Sequence, residues 1–137
     1  MTDAPILSPD AQHLASHAED GVCHLQTTGR VTGRPRTIEI WFALEGTRLY
    51  LLAGGRDGAH WVRNIRANPA VRVRLGGRTL DGHAREIEGD PAEPVARRLL
   101  AAKYQGWRDG DRLSAWAAGS LPVEIELGSG PTLDGGQ

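Results

Sequence analysis

A chain of 137 residues suits one compact domain and leaves no room for a second, and at this length a hydrophobic core suffices without a disulfide or metal staple. Cys23 is the only cysteine, the opening MTDAPILSPD has neither a signal-peptide nor a transit-peptide pattern, and no run approaches the ~20 apolar residues of a membrane span. The composition therefore points to a soluble, cytoplasmic protein in a reducing compartment. The formal net charge of −1 conceals an asymmetry: residues 29 to 79 hold ten arginines against Glu39, Glu45 and Asp57, a net of +7, and the remainder is at −8. Such a positive middle attracts an anion from a distance, although strand alternation that scatters arginine over a surface accounts for about half of it.

Asp10 to Ala18 is compatible with a short opening helix anchored by Leu14. His13 and His17 are i, i+4 on it, but no third ligand is near, so they read as a surface pair and no metal site is expected. From Gly21 the pattern alternates: Val22, His24 and Gln26 against Cys23, Leu25 and Thr27. Gly29-Arg30-Val31-Thr32-Gly33-Arg34-Pro35 is dense in turn formers and predicts a hairpin. The next strand, Thr37 to Ala43, puts Ile38, Ile40 and Phe42 on one face and Glu39 and Trp41 on the other. Glu45-Gly46 turns it back into Arg48 to Ala53, an almost wholly apolar, buried strand.

Asp57 is placed to cap a helix from about Ala59 to Ala67, with Trp61 and Ile65 at i, i+4, and Asn68-Pro69 ends it. Val71, Val73 and Leu75 alternate with Arg72 and Arg74, and Gly76-Gly77 leads into a strand from Thr79 to Ile87. Asp90-Pro91-Ala92-Glu93 opens a helix to about Tyr104 that buries Val95, Leu99 and Ala102. Gln105 to Gly119 reads as loop or broken helix with Trp107 and Trp116, and Val123, Ile125 and Leu127 define a last strand. The fold class is mainly β (α+β), a six-stranded antiparallel barrel with two or three short helices. Residues 1–20 are assigned to a helical extension, 21–127 to the barrel and 128–137 to a flexible tail.

The run Thr27-Thr28-Gly29-Arg30-Val31-Thr32-Gly33-Arg34-Pro35-Arg36, then Leu51-Leu52-Ala53-Gly54-Gly55, then His60-Trp61-Val62-Arg63-Asn64-Ile65-Arg66-Ala67-Asn68-Pro69, resembles the deazaflavin (coenzyme F420)-dependent nitroreductases. These belong to the split β-barrel, pyridoxamine-phosphate-oxidase-like superfamily. The likeness covers roughly residues 20 to 90, and the order of the three pieces is its specific part. It implies an oxidoreductase of nitroreductase or quinone-reductase type that binds the 8-hydroxy-5-deazaflavin coenzyme F420. The coenzyme's phosphate and glutamate tail would lie over the basic hairpin, and its tricycle near the small residues after the buried strand. Carried onto this chain, the cofactor set is Thr28, Gly29, Arg30, Thr32, Gly33, Arg34, Pro35, Arg36 and Thr37, then Ala53, Gly54, Gly55, His60, Trp61 and Asn64, with Arg36 foremost for phosphate. Arginine's planar fork of donors suits phosphate and carboxylate oxygens.

Several of these residues carry a second reading. Gly54 and Gly55 either admit the ring's edge or serve a loop needing positive φ. Trp61 is a site wall or a core anchor, and Asn64 bonds backbone or cofactor. Tyr104 is the candidate proton donor or a hydroxyl ending its helix, and Trp41 and Trp107 are assigned to the substrate pocket, Trp107 as an aromatic wall or mere packing. Val31 stands where many relatives carry lysine, and Glu39 is expected to pair with an arginine such as Arg36. The implied partner is an electron-poor small molecule, a quinone, nitroarene or activated enone. No nucleic acid is expected, and the apolar strands permit a homodimer. An FMN-binding barrel of the same fold, and a non-catalytic carrier of the coenzyme or a lipid, are the alternatives.

Overall fold

The computed structural model describes residues 8–128, so the first seven residues and most of the expected tail lie outside the described part. The elements in order are α1 (Pro9–Ser16), β1 (Cys23–Thr28), β2 (Pro35–Ile40), β3 (Ala43–Glu45), β4 (Arg48–Ala53), α2 (His60–Ala67), β5 (Ala70–Leu75), β6 (Arg78–Glu86), α3 (Glu93–Gln105), α4 (Ala115–Gly119) and β7 (Leu121–Leu127). The seven strands form one sheet in the order β2-β1-β5-β6-β7-β4-β3, and every neighbouring pair is antiparallel.

The strand count exceeds the expected six because the single strand expected over Thr37 to Ala43 is broken at Trp41-Phe42. Its two halves, β2 and β3, lie at opposite edges of the sheet. In a flat seven-stranded sheet those edges would be about 29 Å apart at ~4.8 Å per strand. Three Cα steps from Ile40 to Ala43 span at most about 11 Å. The sheet must therefore curl until its edges nearly meet, which is the split-barrel architecture. At the corner the backbone of Phe42 leaves the ladder, and α3 supplies its partners. Phe42 N–H donates to the Tyr104 hydroxyl (3.1 Å), and Lys103 Nζ donates to the Phe42 carbonyl (3.0 Å) while lying 3.6 Å from that ring's centroid.

Inside the curl the inward residues of each strand meet: Leu25, Leu51, Val73 and Ile125 are fully buried. The burial of β5 alternates in the expected phase, β1 alternates with Cys23, Leu25 and Thr27 inward, and β4 is buried from Leu49 to Ala53. α3 packs outside, setting Ala96 and Leu100 against Tyr50 and Leu52. Its buried face is one residue on from the expected one: Ala96, Arg97, Leu100 and Ala101 are buried, Val95 and Leu99 are at its flank, and Ala102 is exposed. The cause is Arg97, whose Nη1 donates to the carbonyls of Ala117 (2.9 Å) and Ser120 (2.8 Å) while Nη2 pairs with Glu93 (2.7 Å). A periodicity argument counts that arginine as surface.

Both expected caps are also displaced. The residue before α2 is Ala59, with no side-chain cap, and Asp57 instead pairs with Arg66 (2.9 Å). Asp57 lies inside a single 3-10 turn, Arg56–Gly58, that precedes the helix, which leaves the cap position to Ala59. Likewise α3 starts at Glu93, after a turn in which Asp90 accepts from Ala92 N–H (2.8 Å) and Glu93 from Gly89 N–H (2.8 Å).

Candidate functional site

The hairpin between β1 and β2 closes on itself. Gly29 N–H donates to the Arg34 carbonyl (2.7 Å), Gly33 N–H to the Gly29 carbonyl (2.8 Å), and Arg34 N–H to Thr32 Oγ1 (3.2 Å). Gly33 has φ +75°, and a Cβ on Gly29 would stand 3.0 Å from the Arg34 carbonyl oxygen. Both glycines are thus fixed by the bend itself.

α2 docks beside this bend through Asn64, which is 3% exposed. Its Nδ2 donates to Thr27 Oγ1 (3.1 Å), and its Oδ1 accepts from Arg30 N–H (3.2 Å) and Arg30 Nη1 (2.8 Å). Arg30 also donates from Nη1 to the His60 carbonyl (3.4 Å) and from Nη2 to His60 Nδ1 (3.2 Å). Asn64 therefore bonds to one backbone N–H and two side chains of the hairpin region, and joins two segments that the sequence separates by more than thirty residues.

Between hairpin and helix lies a cleft of about 610 Å³. Arg30, Arg36, His60 and Asn64 are polar lining groups, and Pro35, Ile38 and Trp61 supply an apolar wall. Gly29, Thr32 and Thr37 also line it. Trp61 also packs on the barrel core, as a core anchor does. Val31 is 87% exposed at the tip. Thr28 and Gly33 face a second trough, on the outer side of β1 and β5 with Gln26, Arg72 and Asp81.

Among the described residues, five of the ten central arginines pair with carboxylates: Arg48, Arg56, Arg66, Arg72 and Arg78. The three on the hairpin, Arg30, Arg34 and Arg36, pair with none, and no carboxylate lines the cleft. The expected Glu39–Arg36 pair is absent, because residues three apart on a strand point to opposite faces. Glu39 meets His24 Nε2 instead (3.2 Å). Of the five central arginines without a carboxylate partner, three thus sit on this one bend, Arg63 and Arg74 being the other two.

The remaining expected residues gather elsewhere. Ala53 is buried against Val62 and Leu121. Gly54 and Gly55 are exposed after β4, and neither needs positive φ; the left-handed position falls on Arg56 (φ +48°). A Cβ on Gly54 would meet Trp116 at an ordinary 3.6 Å. Trp116 edges Trp41 (5.4 Å between centroids), and Trp41, 44% exposed, stacks on Tyr104 (4.3 Å). An aromatic row so runs from the loop after β4 to the barrel corner, and Trp116 joins it from α4, within the stretch expected as loop or broken helix. The Tyr104 hydroxyl is bound to backbone, donating to the Gly21 carbonyl (2.8 Å), and does not line the cleft. Trp107 donates to the Asp111 carbonyl (2.9 Å) over the outer side of α3, and also lies outside the cleft lining. His13 Nε2 sits 2.6 Å from the Leu75 carbonyl, and His17 pairs with Asp20. Burial pushes the Cys23 thiol up to about 12, which leaves it an inert core group.

The family model for F420H(2)-dependent quinone reductase matches residues 12–127. The chain belongs to this family. An F420H(2)-dependent quinone reductase of Mycobacterium tuberculosis is 32% identical over 79 residues, 55% of this chain and 51% of the relative. The chain thus spans about half the length of the curated relatives it matches. Among solved structures, an F420-H2 dependent reductase is 29% identical, covering 80% of this chain and 95% of that one, with a TM-score of 0.58. A conserved hypothetical protein of Mycobacterium tuberculosis superposes at a TM-score of 0.71 with 18% identity, over 90% of this chain and 86% of that one, and bears on the fold alone. The matched residues 12–127 take in both the hairpin and α2, so the cleft lies within the part of this chain that the family model covers. No helix among the described residues is long and apolar enough to cross a membrane.

Proposed function

We propose that this chain binds coenzyme F420 with its anionic tail on the Gly29–Arg36 hairpin, and reduces a quinone-type acceptor. The observation that carries the reading is the concentration of carboxylate-free guanidinium groups on a bend that hydrogen bonds hold in shape beside an apolar wall. The donor set fits the group. Arg36, in the cleft lining, and Arg34, on the same bend but outside that lining, offer forks of N–H donors to phosphate or carboxylate oxygens, and Trp61, Pro35 and Ile38 offer surface to the ribityl chain and ring.

When bound, the reduced coenzyme supplies a hydride, and the acceptor takes it together with a proton from solvent. The chain's part is orientation: the hairpin grips charge, the wall of α2 excludes water from one side, and the Trp41–Trp116 row offers a flat aromatic face to an acceptor. A nitroarene or activated enone meets the same electronic requirement and belongs to the acceptors to be tried. The test is an absorbance and fluorescence titration of the protein with oxidised F420 and with FMN, repeated on Arg36→Ala. The proposal requires tighter binding of F420 and about a tenfold loss in the variant, the scale of one charge-assisted contact. Equal affinity in the variant moves the tail elsewhere. A preference for FMN replaces the coenzyme. Binding without turnover of any acceptor makes the protein a carrier.

A further inference from the structure

We propose that Asn64 and His60 are positioning residues that pin Arg30 by one edge of its guanidinium, so that the opposite edge presents a fixed two-donor fork to the coenzyme's phosphate. The inference rests on the coenzyme reading above and deepens it. A guanidinium carries five N–H donors. Three of Arg30's are spent on α2: both on Nη1, to Asn64 Oδ1 and the His60 carbonyl, and one on Nη2, to His60 Nδ1. The two left over, on Nε and Nη2, lie side by side, which is the geometry that takes two oxygens of one oxyanion. Arg30 makes no other hydrogen bond or ion pair among the described residues.

The anchors are all uncharged. Asn64 is an amide, His60 accepts through Nδ1 in its Nε2–H form, and the third partner is a carbonyl. The side chain is therefore oriented while its charge stays available, whereas Arg66, gripped by Glu86 and Asp57, has its charge offset. Asn64 also fixes the Arg30 backbone and, through Thr27, the end of β1, so one buried amide sets both the bend and its first arginine. Arg34 and Arg36, by contrast, have no such anchor and are free to adapt to the more distal carboxylates of the tail. Ordering Arg30 before the ligand arrives removes part of the side-chain entropy that binding otherwise costs.

The test is a double-mutant cycle on the full chain, read by fluorescence titration with oxidised F420, with a phosphorylated form lacking the glutamates, and with the riboside lacking the whole tail. Asn64→Leu should weaken F420 and the glutamate-free form alike, each by about tenfold, and leave riboside affinity within about twofold. In an Arg30→Gln background the same substitution should add less than about twofold, because its effect passes through Arg30. His60→Phe, at an exposed position, should act in the same direction and serves if Asn64→Leu does not fold. Nitrogen NMR should find His60 with Nδ1 unprotonated and perturbed by Arg30→Gln. Additive losses in the cycle, an equal loss of riboside, or an effect that vanishes without the glutamates overturns the inference while leaving F420 binding intact. Failure of the unsubstituted protein to bind F420 overturns both readings.

Discussion

Replacing Tyr104 with phenylalanine separates two roles that the sequence leaves open. The substitution removes one oxygen and keeps the ring, so the stack on Trp41 at 4.3 Å survives. What it takes away is the acceptor for Phe42 N–H, at a residue that is 0% exposed, and the donor to the Gly21 carbonyl. An orphaned buried N–H costs about 1–3 kcal/mol. For a domain of this size that is roughly 3–12 °C in melting temperature. Thermal unfolding followed by circular dichroism should show this loss, and kcat measured well below the transition should stay within about twofold. The alkaline limb adds a signature. Burial raises the Tyr104 phenol above its ordinary 10.0, so the folded chain holds this proton more tightly than the unfolded chain. The resulting stability is complete below pH 10 and is lost as pH rises through the raised value, and Tyr104→Phe should remove this residue's share of the alkaline loss while that of Tyr50 and Cys23, also raised by burial, stays. An unchanged melting temperature with kcat down about a hundredfold or more, the scale of a lost general acid, would refute the corner assignment.

Other outcomes follow from the same geometry. Gly29→Ala should weaken F420 far more than Gly54→Ala in the same titration, since only the first Cβ meets backbone closer than real Cβ atoms ordinarily approach. Glu93 is held below the usual carboxylate range by the Gly89 N–H first and by Arg97 second. Its contribution is therefore present above that range and lost as pH falls through the depressed value, and Glu93→Gln should flatten the fall in melting temperature on acidification. Arg97→Met should cost about 3 kcal/mol in urea unfolding, because it strips the Ala117 and Ser120 carbonyls and leaves Glu93 without its buried partner.

The elements that sequence reasoning placed well are those whose signal is local. Arg48–Ala53 is a short apolar run between turn formers, and Val71, Val73 and Leu75 alternate cleanly, so their burial follows from period two. The break at Trp41-Phe42 left no such trace. Alternation runs straight through it, and what ends the strand is a pair of side chains from α3, some sixty residues on. Arg97 misled the face of α3 for a similar reason: its burial depends on carbonyls of α4 and the start of β7, which no window around residue 97 contains. At the site, the bend and its arginines were legible as turn chemistry plus charge. That Arg36 is free and Arg30 is held was not, because strand phase sends Glu39 to His24 and helix docking brings Asn64 across. Trp116 was visible as a tryptophan but not as a neighbour of Trp41.

The most direct measurement is a crystal structure of the protein soaked or grown with oxidised F420. The account predicts phosphate oxygens within about 2.7–3.2 Å of guanidinium nitrogens on the hairpin, with the tail running over Gly29 to Arg36. A well-ordered coenzyme whose phosphate lies in the outer trough beside Arg72, or anywhere that leaves Arg30, Arg34 and Arg36 in bulk water, would contradict it.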